Sequence, residues 1–333
     1  MNSLERTTAF IKGEEVDRKP FHPILMRWAA RYAGVPYREF CLDAEAHCQA
    51  NIKCAEDFNM DWVNVMSDPY AEAEAFGLKL DYPPDGLPVE TMPLIMDPRD
   101  IDNLKKPQIS SHARLTGRLD QIEYFRDKLG DTTIICGWIE GPLAEYCDLR
   151  GLASACMDFF DNPEMLEKAL DLIVDFAIEF ADAQIAAGAN CIGMGDAACS
   201  QIGPQLYKDF IWEREKLVIG HIRSKGVLAK LHICGNTTSI LSDMVATGAD
   251  IVDIDHLVED MGPFADELAP GQVLSGKSDP VSVIQDGTEQ DIADSVRDCA
   301  EEAKGRCIIS AGCEITPGTS VENMKAFSRT SAV

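Results

Sequence analysis

The chain has 333 residues, and its 30 Lys and Arg against 56 Asp and Glu give a formal charge of −26 at pH 7. This acidic balance argues against nucleic acid or an anionic membrane as a main partner, because both attract basic surfaces. No apolar run approaches the ~18 residues of a membrane span, and the first residues lack the pattern of a signal peptide, so we expect a soluble, cytoplasmic protein. The 12 cysteines are scattered, and most are expected to be reduced, small, buried residues.

Short apolar or β-branched runs alternate with segments of helical spacing along the chain. The predicted strands are 22–28, 61–67, 132–139, 190–195, 227–233, 249–254, 272–277 and 306–311. The predicted helices are 43–58, 112–129, 163–187, 204–224, 237–247 and 288–304. Eight strands alternating with helices predict a single α/β domain over 1–333, a (β/α)8 barrel with an N-terminal helical extension. A doubly wound open sheet is the alternative, but it normally has fewer strands and often a glycine-rich phosphate loop, and no such motif occurs here.

The connection between the second and third predicted strands is unusually long. Residues 69–111 contain PPDGLP, MPLIMDP and KKPQ, and are rich in proline and poor in regular pattern. A loop of this length in a compact domain is usually a lid or a binding loop. We therefore expect a lid-like insertion that covers the top of the barrel.

The active site of such a barrel lies at the carboxyl ends of its strands. His232 and Cys234 end the fifth predicted strand and, being two residues apart, point the same way. Cys313 stands at the equivalent level of the eighth predicted strand. Imidazole and thiolate ligands suit zinc, and three protein ligands with one open position are typical of a catalytic zinc site. Asp255, at the mouth of the sixth predicted strand, is a candidate for the fourth position until a substrate displaces it.

A structural interpretation of the same residues stays open. His232 could be a core histidine with satisfied hydrogen bonds, and the two cysteines could be packing residues. Lys230 shares the face of His232 and should point into the barrel, where an unpaired ammonium is costly. It therefore needs a carboxylate partner such as Asp253, or the strand must turn it outward.

A second group of candidates is charged. Arg27 and Arg31 fall at and after the end of the first predicted strand and could form an anion clamp, because guanidinium matches carboxylate or sulfonate in two-point contact. Asp68, Glu140 and Asp196 end the next three predicted strands. These acidic residues are candidates for substrate binding or catalysis, and the structural alternative is that they cap helices or form loop ion pairs.

Several segments resemble a known superfamily. The sequence LHICGN at 231–236 resembles the zinc segment of the corrinoid-protein:coenzyme M methyltransferases, which belong to the uroporphyrinogen decarboxylase superfamily. The matching segments are 139–142, 193–196, 231–236, 240–244, 312–313, 316–317 and 321–323. The resemblance covers most of the chain and is strongest from about 130 to 326. It implies a (β/α)8 barrel with zinc on His232, Cys234 and Cys313, and with Asp255 as an exchangeable ligand.

The N-terminal part resembles another branch of the same superfamily. The sequence LMRWAARY at 25–32 is similar to the M-R-Q-A-G-R-Y segment of the true decarboxylases, whose arginines hold substrate carboxylates. Residues 67–68 and 276–280 also resemble decarboxylase segments. The chain therefore combines a methyltransferase-like metal site with a decarboxylase-like anion clamp.

The sequence thus predicts methyl transfer between the cobalt of a corrinoid protein and a small molecule. That molecule is a thiol acceptor such as coenzyme M, or an aryl methyl ether donor, and a partner protein carries the corrinoid (cobalamin). Arg27, Arg31, Asp68 and Asp196 are expected to bind the substrate. The candidate catalytic side chains are Asp255, Tyr146 and Glu140. The alternatives are a decarboxylase that acts on an acidic tetrapyrrole, and a non-catalytic barrel that binds corrinoid or tetrapyrrole.

Overall fold

A computed structural model describes residues 1–332 of the chain. The strands are β1 (Trp62–Asn64), β2 (Lys79–Asp81), β3 (Val89–Met92), β4 (Ile134–Glu140), β5 (Cys191–Gly195), β6 (Leu228–Ile233), β7 (Ile251–Ile254), β8 (Val273–Ser278) and β9 (Cys307–Ala311). The α-helices are α1 (Ser3–Ile11), α2 (Arg27–Ala33), α3 (Tyr37–Leu42), α4 (Ala44–Asp57), α5 (Ala71–Phe76), α6 (Ala113–Leu129), α7 (Pro142–Arg150), α8 (Leu152–Asp161), α9 (Pro163–Ala187), α10 (Gly203–Leu206), α11 (Trp212–Ser224), α12 (Leu241–Ala246), α13 (Gly262–Ala265), α14 (Glu289–Glu302) and α15 (Val321–Arg329). Short 3₁₀ or π-helical turns lie at Pro98–Asn103, Ile109–Ser111, Ala197–Gln201, Tyr207–Ile211, Pro280–Gln285 and Thr330–Ala332.

The larger sheet is entirely parallel and follows the chain. Its strand order is β1-β4-β5-β6-β7-β8-β9, and every neighbouring pair is parallel. The segment 20–24 hydrogen-bonds with both edges of this sheet. The backbone N–H of His22 donates to Ile309 at 2.9 Å, and that of Asp61 donates to Phe21 at 2.9 Å. This segment therefore takes the eighth place of the ring, and the predicted (β/α)8 barrel is confirmed.

The predicted first strand, 22–28, is wrong in its extent and in its end. Only Phe21 forms a ladder bridge, with Ile309 of β9, and α2 begins at Arg27. Pro20 and Pro23 explain the short pairing, because a proline has no N–H to donate to a sheet. Arg27 and Arg31 consequently lie on a helix and not at the end of a strand.

The helix α9 shows how local signals set the boundaries of an element. Pro163 occupies the first turn of α9, where its missing N–H costs nothing. The helix ends before Gly188, whose φ of +116° is a left-handed conformation that glycine adopts readily. The sequence predicted these bounds correctly. α9 packs against α6, α7 and α11 and covers the outside of β4 and β5.

The insertion at 69–111 contains more regular structure than its sequence predicted. It begins with α5 and continues into a two-stranded antiparallel sheet of β2 and β3. Its backbone is anchored to α7, because the N–H of Ile95 donates to the carbonyl of Leu149 at 2.9 Å. α7 follows β4, so the insertion lies at the carboxyl-end rim of the barrel. Its action as a lid stays a prediction.

A helix that crosses a membrane must be both long and apolar. Among residues 1–332, no helix is both long and apolar enough to cross a bilayer.

Candidate metal centre

His232 and Cys234 lie at the end of β6 and in the residues that follow it. The ring nitrogen Nε2 of His232 is 2.9 Å from the sulfur of Cys234. The imidazole is buried, whereas Cys234 is half-buried. The two-residue spacing of a strand therefore places both groups on the barrel side of β6, as the sequence predicted.

Cys313 joins this pair from the far end of the sheet. Its sulfur is 3.5 Å from that of Cys234, and the ligand atoms of His232, Cys234 and Cys313 all lie within 4.8 Å of one another. Gly312 allows this approach, because a Cβ at that position would lie 2.4 Å from the backbone nitrogen of His256. The barrel thus brings together three side chains that are far apart in sequence.

The side chains of this cluster shift one another's pKa values. A hydrogen bond from the Cys234 thiol, together with the nearby His232, lowers the pKa of Cys313 to about 4, although burial opposes this shift. Burial would lower the pKa of His232, but Asp253 and Cys313 outweigh it and raise that pKa to about 10. Both shifts have the same physical cause, which is the short distances that join His232, Cys234, Cys313 and Asp253.

The donor set fits a zinc ion. Thiolate and imidazole are the ligands that zinc prefers. Zinc–ligand bonds of about 2.0–2.3 Å in a tetrahedral site separate the ligand atoms by roughly 3.3–3.8 Å. The two sulfurs, 3.5 Å apart, are within this range, and His232 Nε2, 2.9 Å from Cys234, is slightly closer than it. Small side-chain rotations would therefore bring these ligand atoms to zinc-binding positions. Three protein ligands also leave one position for a substrate atom.

Asp255, the predicted exchangeable ligand, lies outside this group of three. Its carboxylate accepts hydrogen bonds from the backbone N–H of Gly235 at 2.8 Å and of Leu257 at 3.3 Å. The ring nitrogen Nδ1 of His256 is 2.5 Å from the same carboxylate. Asp255 therefore fixes the loop that carries Cys234, and its role as a ligand stays a prediction.

Glu140 lies at the level of His232 inside the barrel. In the sheet register Glu140 pairs with Gly195, and Gly195 pairs with His232. One oxygen of Glu140 accepts a hydrogen bond from the indole N–H of Trp138 at 3.0 Å. Burial, with Glu72 close by, raises the pKa of Glu140 well above its usual range. The surroundings of Glu140 therefore favour its protonated form.

Trp138 is a site residue that the sequence analysis missed. Its ring lies over β5, because a Cβ at Gly193 would be 2.4 Å from Trp138 Cε3 and one at Gly195 would be 2.8 Å from Cζ2. The indole can occupy this space only because β5 presents two glycines to the barrel. Glycines at alternate positions of a strand, opposite a tryptophan on the neighbouring strand, were the available signal.

Arg27 is tied to the segment that carries Cys313. Its backbone N–H donates to Glu314 at 2.8 Å, while its guanidinium is 3.6 Å from the same carboxylate and the side chain is 37% exposed. Arg31 donates to the carbonyl of Pro317. It lines a cavity of about 430 Å³ between α2 and residues 318–322. The two arginines thus share the rim beside Cys313 but face different partners.

The other predicted site residues are engaged within the protein. Asp68 is buried and pairs with Arg114 at 2.6 Å. Asp196 is buried and accepts a hydrogen bond from Ala144 at 2.6 Å, at the first turn of α7. Tyr146 is buried and donates to Asp158 at 2.7 Å. These contacts are structural, and the predicted roles of the three residues in substrate binding and catalysis stay untested.

Asp196 also belongs to a second group of potential ligands. Its carboxylate, Cys199 and Glu215 lie within 4.8 Å of one another, and all three are buried. Tyr207 donates a hydrogen bond to Glu215. Burial raises the pKa of Asp196 to about 6 and that of Glu215 well above its usual range. Ala144 and Tyr207 thus supply hydrogen bonds to the carboxyl groups of Asp196 and Glu215 within the protein.

The fold and the site together define an α/β barrel with a candidate metal centre at the carboxyl ends of its strands. A family model described as uroporphyrinogen decarboxylase (URO-D) matches residues 2–332. The chain therefore belongs to the uroporphyrinogen decarboxylase family.

Relatives of two kinds are about equally similar to this chain. It is 26% identical over 329 residues to the methylcobamide:CoM methyltransferase MtbA of Methanosarcina acetivorans, and the alignment covers 96% of this chain and 95% of that protein. It is 28% identical over 339 residues to a uroporphyrinogen decarboxylase of Prochlorococcus marinus, with coverage of 95% and 93%. The family is thus enzymatic, and these identities do not separate its two activities.

A solved structure supports the fold. A methyltransferase from Methanosarcina mazei superimposes with a TM-score of 0.88 at 24% identity, covering 99% of this chain and 98% of that one. A B12-independent methionine synthase from Shewanella superimposes with a TM-score of 0.61 at 13% identity, covering 87% of this chain and 86% of that one. At these identities the likeness shows the barrel alone.

Proposed function

We propose that this protein is a zinc-dependent methyltransferase that moves a methyl group between the cobalt of a corrinoid protein and a small molecule. The small molecule is a thiol acceptor such as coenzyme M, or an aryl methyl ether donor. The observation that carries the proposal is the convergence of His232, Cys234 and Cys313 within 4.8 Å at the barrel rim. The similarity to methylcobamide:CoM methyltransferases supports it.

His232, Cys234 and Cys313 would hold the ion. Zinc bound there would lower the pKa of a thiol, or polarise an ether oxygen, at its open position. The chain's own contribution is to fix these three side chains at the rim, where a substrate and a partner protein can both reach them.

Arg27 is suited to hold a remote acid group of the substrate. Its guanidinium is only loosely paired with Glu314, at 3.6 Å, and is partly exposed. A carboxylate or sulfonate could therefore replace Glu314 as its partner. Holding the substrate at both ends would orient its sulfur or oxygen for in-line transfer. Arg31, four residues along the same helix, would add positive charge.

Glu140 has a role only with an ether donor. Its Oε1 accepts a hydrogen bond from the Trp138 N–H, and burial favours its protonated form. If an aryl ether is the donor, the phenolate oxygen that loses the methyl group would gain negative charge, and Glu140 could supply a proton to it. A thiol acceptor needs no such acid. Glu140 is therefore the residue whose substitution separates the two substrate classes.

A decarboxylase is the second candidate. The 28% identity to a uroporphyrinogen decarboxylase and the sequence at 25–32 favour it. It gives no reason for one imidazole and two thiols to converge. A non-catalytic barrel that binds corrinoid or tetrapyrrole is a third candidate, and it would retain the cluster without chemistry.

The experiment compares metal content and activity in the same preparation. The purified chain is analysed for zinc and then incubated with methylcobalamin and a panel of thiols, with and without acid groups. In parallel it is incubated with cob(I)alamin and methoxylated aromatic acids, and with uroporphyrinogen. Loss of the methyl–cobalt absorption, or its appearance, reports methyl transfer.

We expect about one zinc per chain and methyl transfer with at least one thiol or ether. Both should be lost in Cys313→Ala and retained in the control Cys156→Ala, since Cys156 lies on α8 and is not part of the cluster. A metal-free protein that decarboxylates uroporphyrinogen would overturn the proposal. Zinc without methyl transfer to or from any compound would favour the binding function.

A further inference from the structure

A chain of buried charged groups extends from the candidate metal centre into the barrel. Lys230 and His232 are two residues apart on β6, and Asp253 on β7 is the register partner of His232. The carboxylate oxygen Oδ2 of Asp253 lies 2.8 Å from His232 Nδ1 and 3.1 Å from Lys230 Nζ. The side chains of Lys230 and Asp253 are 0% exposed. One oxygen therefore serves both the imidazole and the ammonium group.

The geometry fixes which ring nitrogen of His232 faces the cluster. Nδ1 lies against the carboxylate of Asp253, so Nε2 is the atom that lies 2.9 Å from the sulfur of Cys234. A carboxylate beside Nδ1 keeps a proton on that nitrogen and leaves the lone pair of Nε2 available to a metal.

Lys230 explains how a carboxylate can occupy this position. A buried carboxylate without a fixed counter-charge loses its solvation and gains nothing in return. The ammonium group of Lys230 supplies that charge. It is also held from the other side of the barrel, 4.6 Å from the centroid of the Trp62 ring on β1, where the ring face attracts a cation. The ion pair is thus fixed by contacts from three strands.

We propose that Asp253 and Lys230 are positioning residues for the metal centre: Asp253 orients His232 for ligation through Nε2, and Lys230 holds the Asp253 side chain in place. This inference rests on the proposed zinc site but not on the identity of the substrate. The alternative is that this ion pair contributes to stability alone. A neutral pair at these two positions should restore stability in either case, but it would restore zinc affinity only if the ion pair has no positioning role.

The test uses Asp253→Asn, Lys230→Met and the double variant in the full chain. Metal affinity is measured by competition with a chromophoric chelator, and the environment of the ion by the visible spectrum of the cobalt(II)-substituted protein. Stability is measured as the urea midpoint of unfolding. Lys304→Met with Asp266→Asn is the control, since this exposed ion pair lies elsewhere.

We expect Asp253→Asn to weaken zinc binding about 10- to 100-fold, which is typical of losing an outer partner of a histidine ligand. Lys230→Met should weaken it less and lower the urea midpoint. The double variant leaves no unpaired buried charge, so its midpoint should rise again while its zinc affinity stays as low as that of Asp253→Asn. The cobalt(II) spectrum should change in both variants at position 253.

The double variant also carries the test if a single variant does not fold. Recovery of wild-type zinc affinity in the double variant would overturn the inference, as would unchanged affinity in Asp253→Asn. Failure of the wild-type chain to bind zinc or cobalt(II) would overturn both the inference and the proposed site. Absence of methyl transfer by a chain that binds zinc would overturn only the proposed function, because no arm of this test measures activity.

Discussion

The two halves of the barrel rim use their polar residues differently. On the half formed by β6 to β9, His232, Cys234 and Cys313 contact one another, and the two cysteines stay partly accessible while the imidazole is buried. On the half formed by β1, β4 and β5, Asp68 and Asp196 are buried and satisfied by partners from the surrounding helices. Both sets stand at strand ends, so position in the fold alone does not distinguish a site from a scaffold.

The difference follows from hydrogen-bonding capacity. A carboxylate accepts several strong hydrogen bonds, and backbone N–H groups and arginines nearby readily supply them. Thiols are weak donors and acceptors, so a pair of cysteines at a rim competes poorly for such partners. A cluster of sulfur and imidazole at an accessible rim is therefore available to a metal, whereas a lone acidic residue is more often engaged already.

Of the changes predicted here, breaking the ion pair of Asp68 should have the largest effect on the free energy of unfolding. Asp68→Ala removes the closer of the two carboxylate partners of buried Arg114 and leaves only Glu74, at 3.5 Å. Breaking a buried pair in this way typically costs about 3–5 kcal/mol of the free energy of unfolding. The pair is 2.6 Å long, and the Asp68 side chain is 0% exposed. Urea unfolding followed by circular dichroism measures the change.

Arg99→Ala is the matched control for this prediction. Asp97 and Arg99 also form an ion pair, but at the surface, and surface pairs contribute little. We expect no measurable change in the urea midpoint of this variant. If Asp68→Ala unfolds at the wild-type midpoint but fails to bind substrate, Asp68 belongs to the site after all and the contrast between the two halves is wrong.

The pH dependence of stability tests whether Asp196, like Asp68, is a buried structural residue and not part of an accessible site. Burial raises the pKa of this carboxyl from 3.8 to about 6, so the folded chain binds the proton more tightly than the unfolded chain. The resulting stabilisation is full below pH ~4 and is lost as the pH rises to about 6, by about 3 kcal/mol in total. Asp196→Asn should remove most of this decline.

The measurement is urea unfolding at a series of pH values from 4 to 7. Asp209→Asn, at an exposed position of the same region, should keep the wild-type slope. An identical slope in Asp196→Asn and in the wild-type chain would show that Asp196 is ionised throughout, and would return it to the list of charged groups that could bind a substrate.

Strand periodicity explains why the convergence of His232, Cys234 and Cys313 was predictable from sequence. His232 and Cys234 share a face because they are two residues apart, and parallel strand ends meet at one rim, which also brings in Cys313. The bounds of α9 were predictable because Pro163 and Gly188 act locally. Each of these signals lies within a few residues of the feature that it predicts.

The features that the sequence did not predict depend on contacts between residues that are distant in sequence. Segment 22–28 has the apolar pattern of a strand, but its prolines and the sheet edge that it meets allow only a single bridge. The partners of Asp68 and Asp196 come from α6 and α7, and nothing in the local sequence identifies them. The same holds for the contact between Asp253 and Lys230, which the sequence could offer only as one of two alternatives.

Arg27, at the rim beside Cys313, tests whether a charged group near the cluster contributes to substrate binding, and its substitution has the smallest expected effect. Arg27→Ala should weaken the binding of a substrate with an acid group about tenfold, the lower end for a charge-assisted contact, because this side chain is partly exposed. Zinc content should not change, since Arg27 contacts Glu314 and none of the three ligands. A neutral thiol or ether should bind both proteins equally. If the neutral and acidic compounds lose affinity alike, Arg27 supports the segment around Cys313 mechanically, and the anion clamp must be sought elsewhere on the rim.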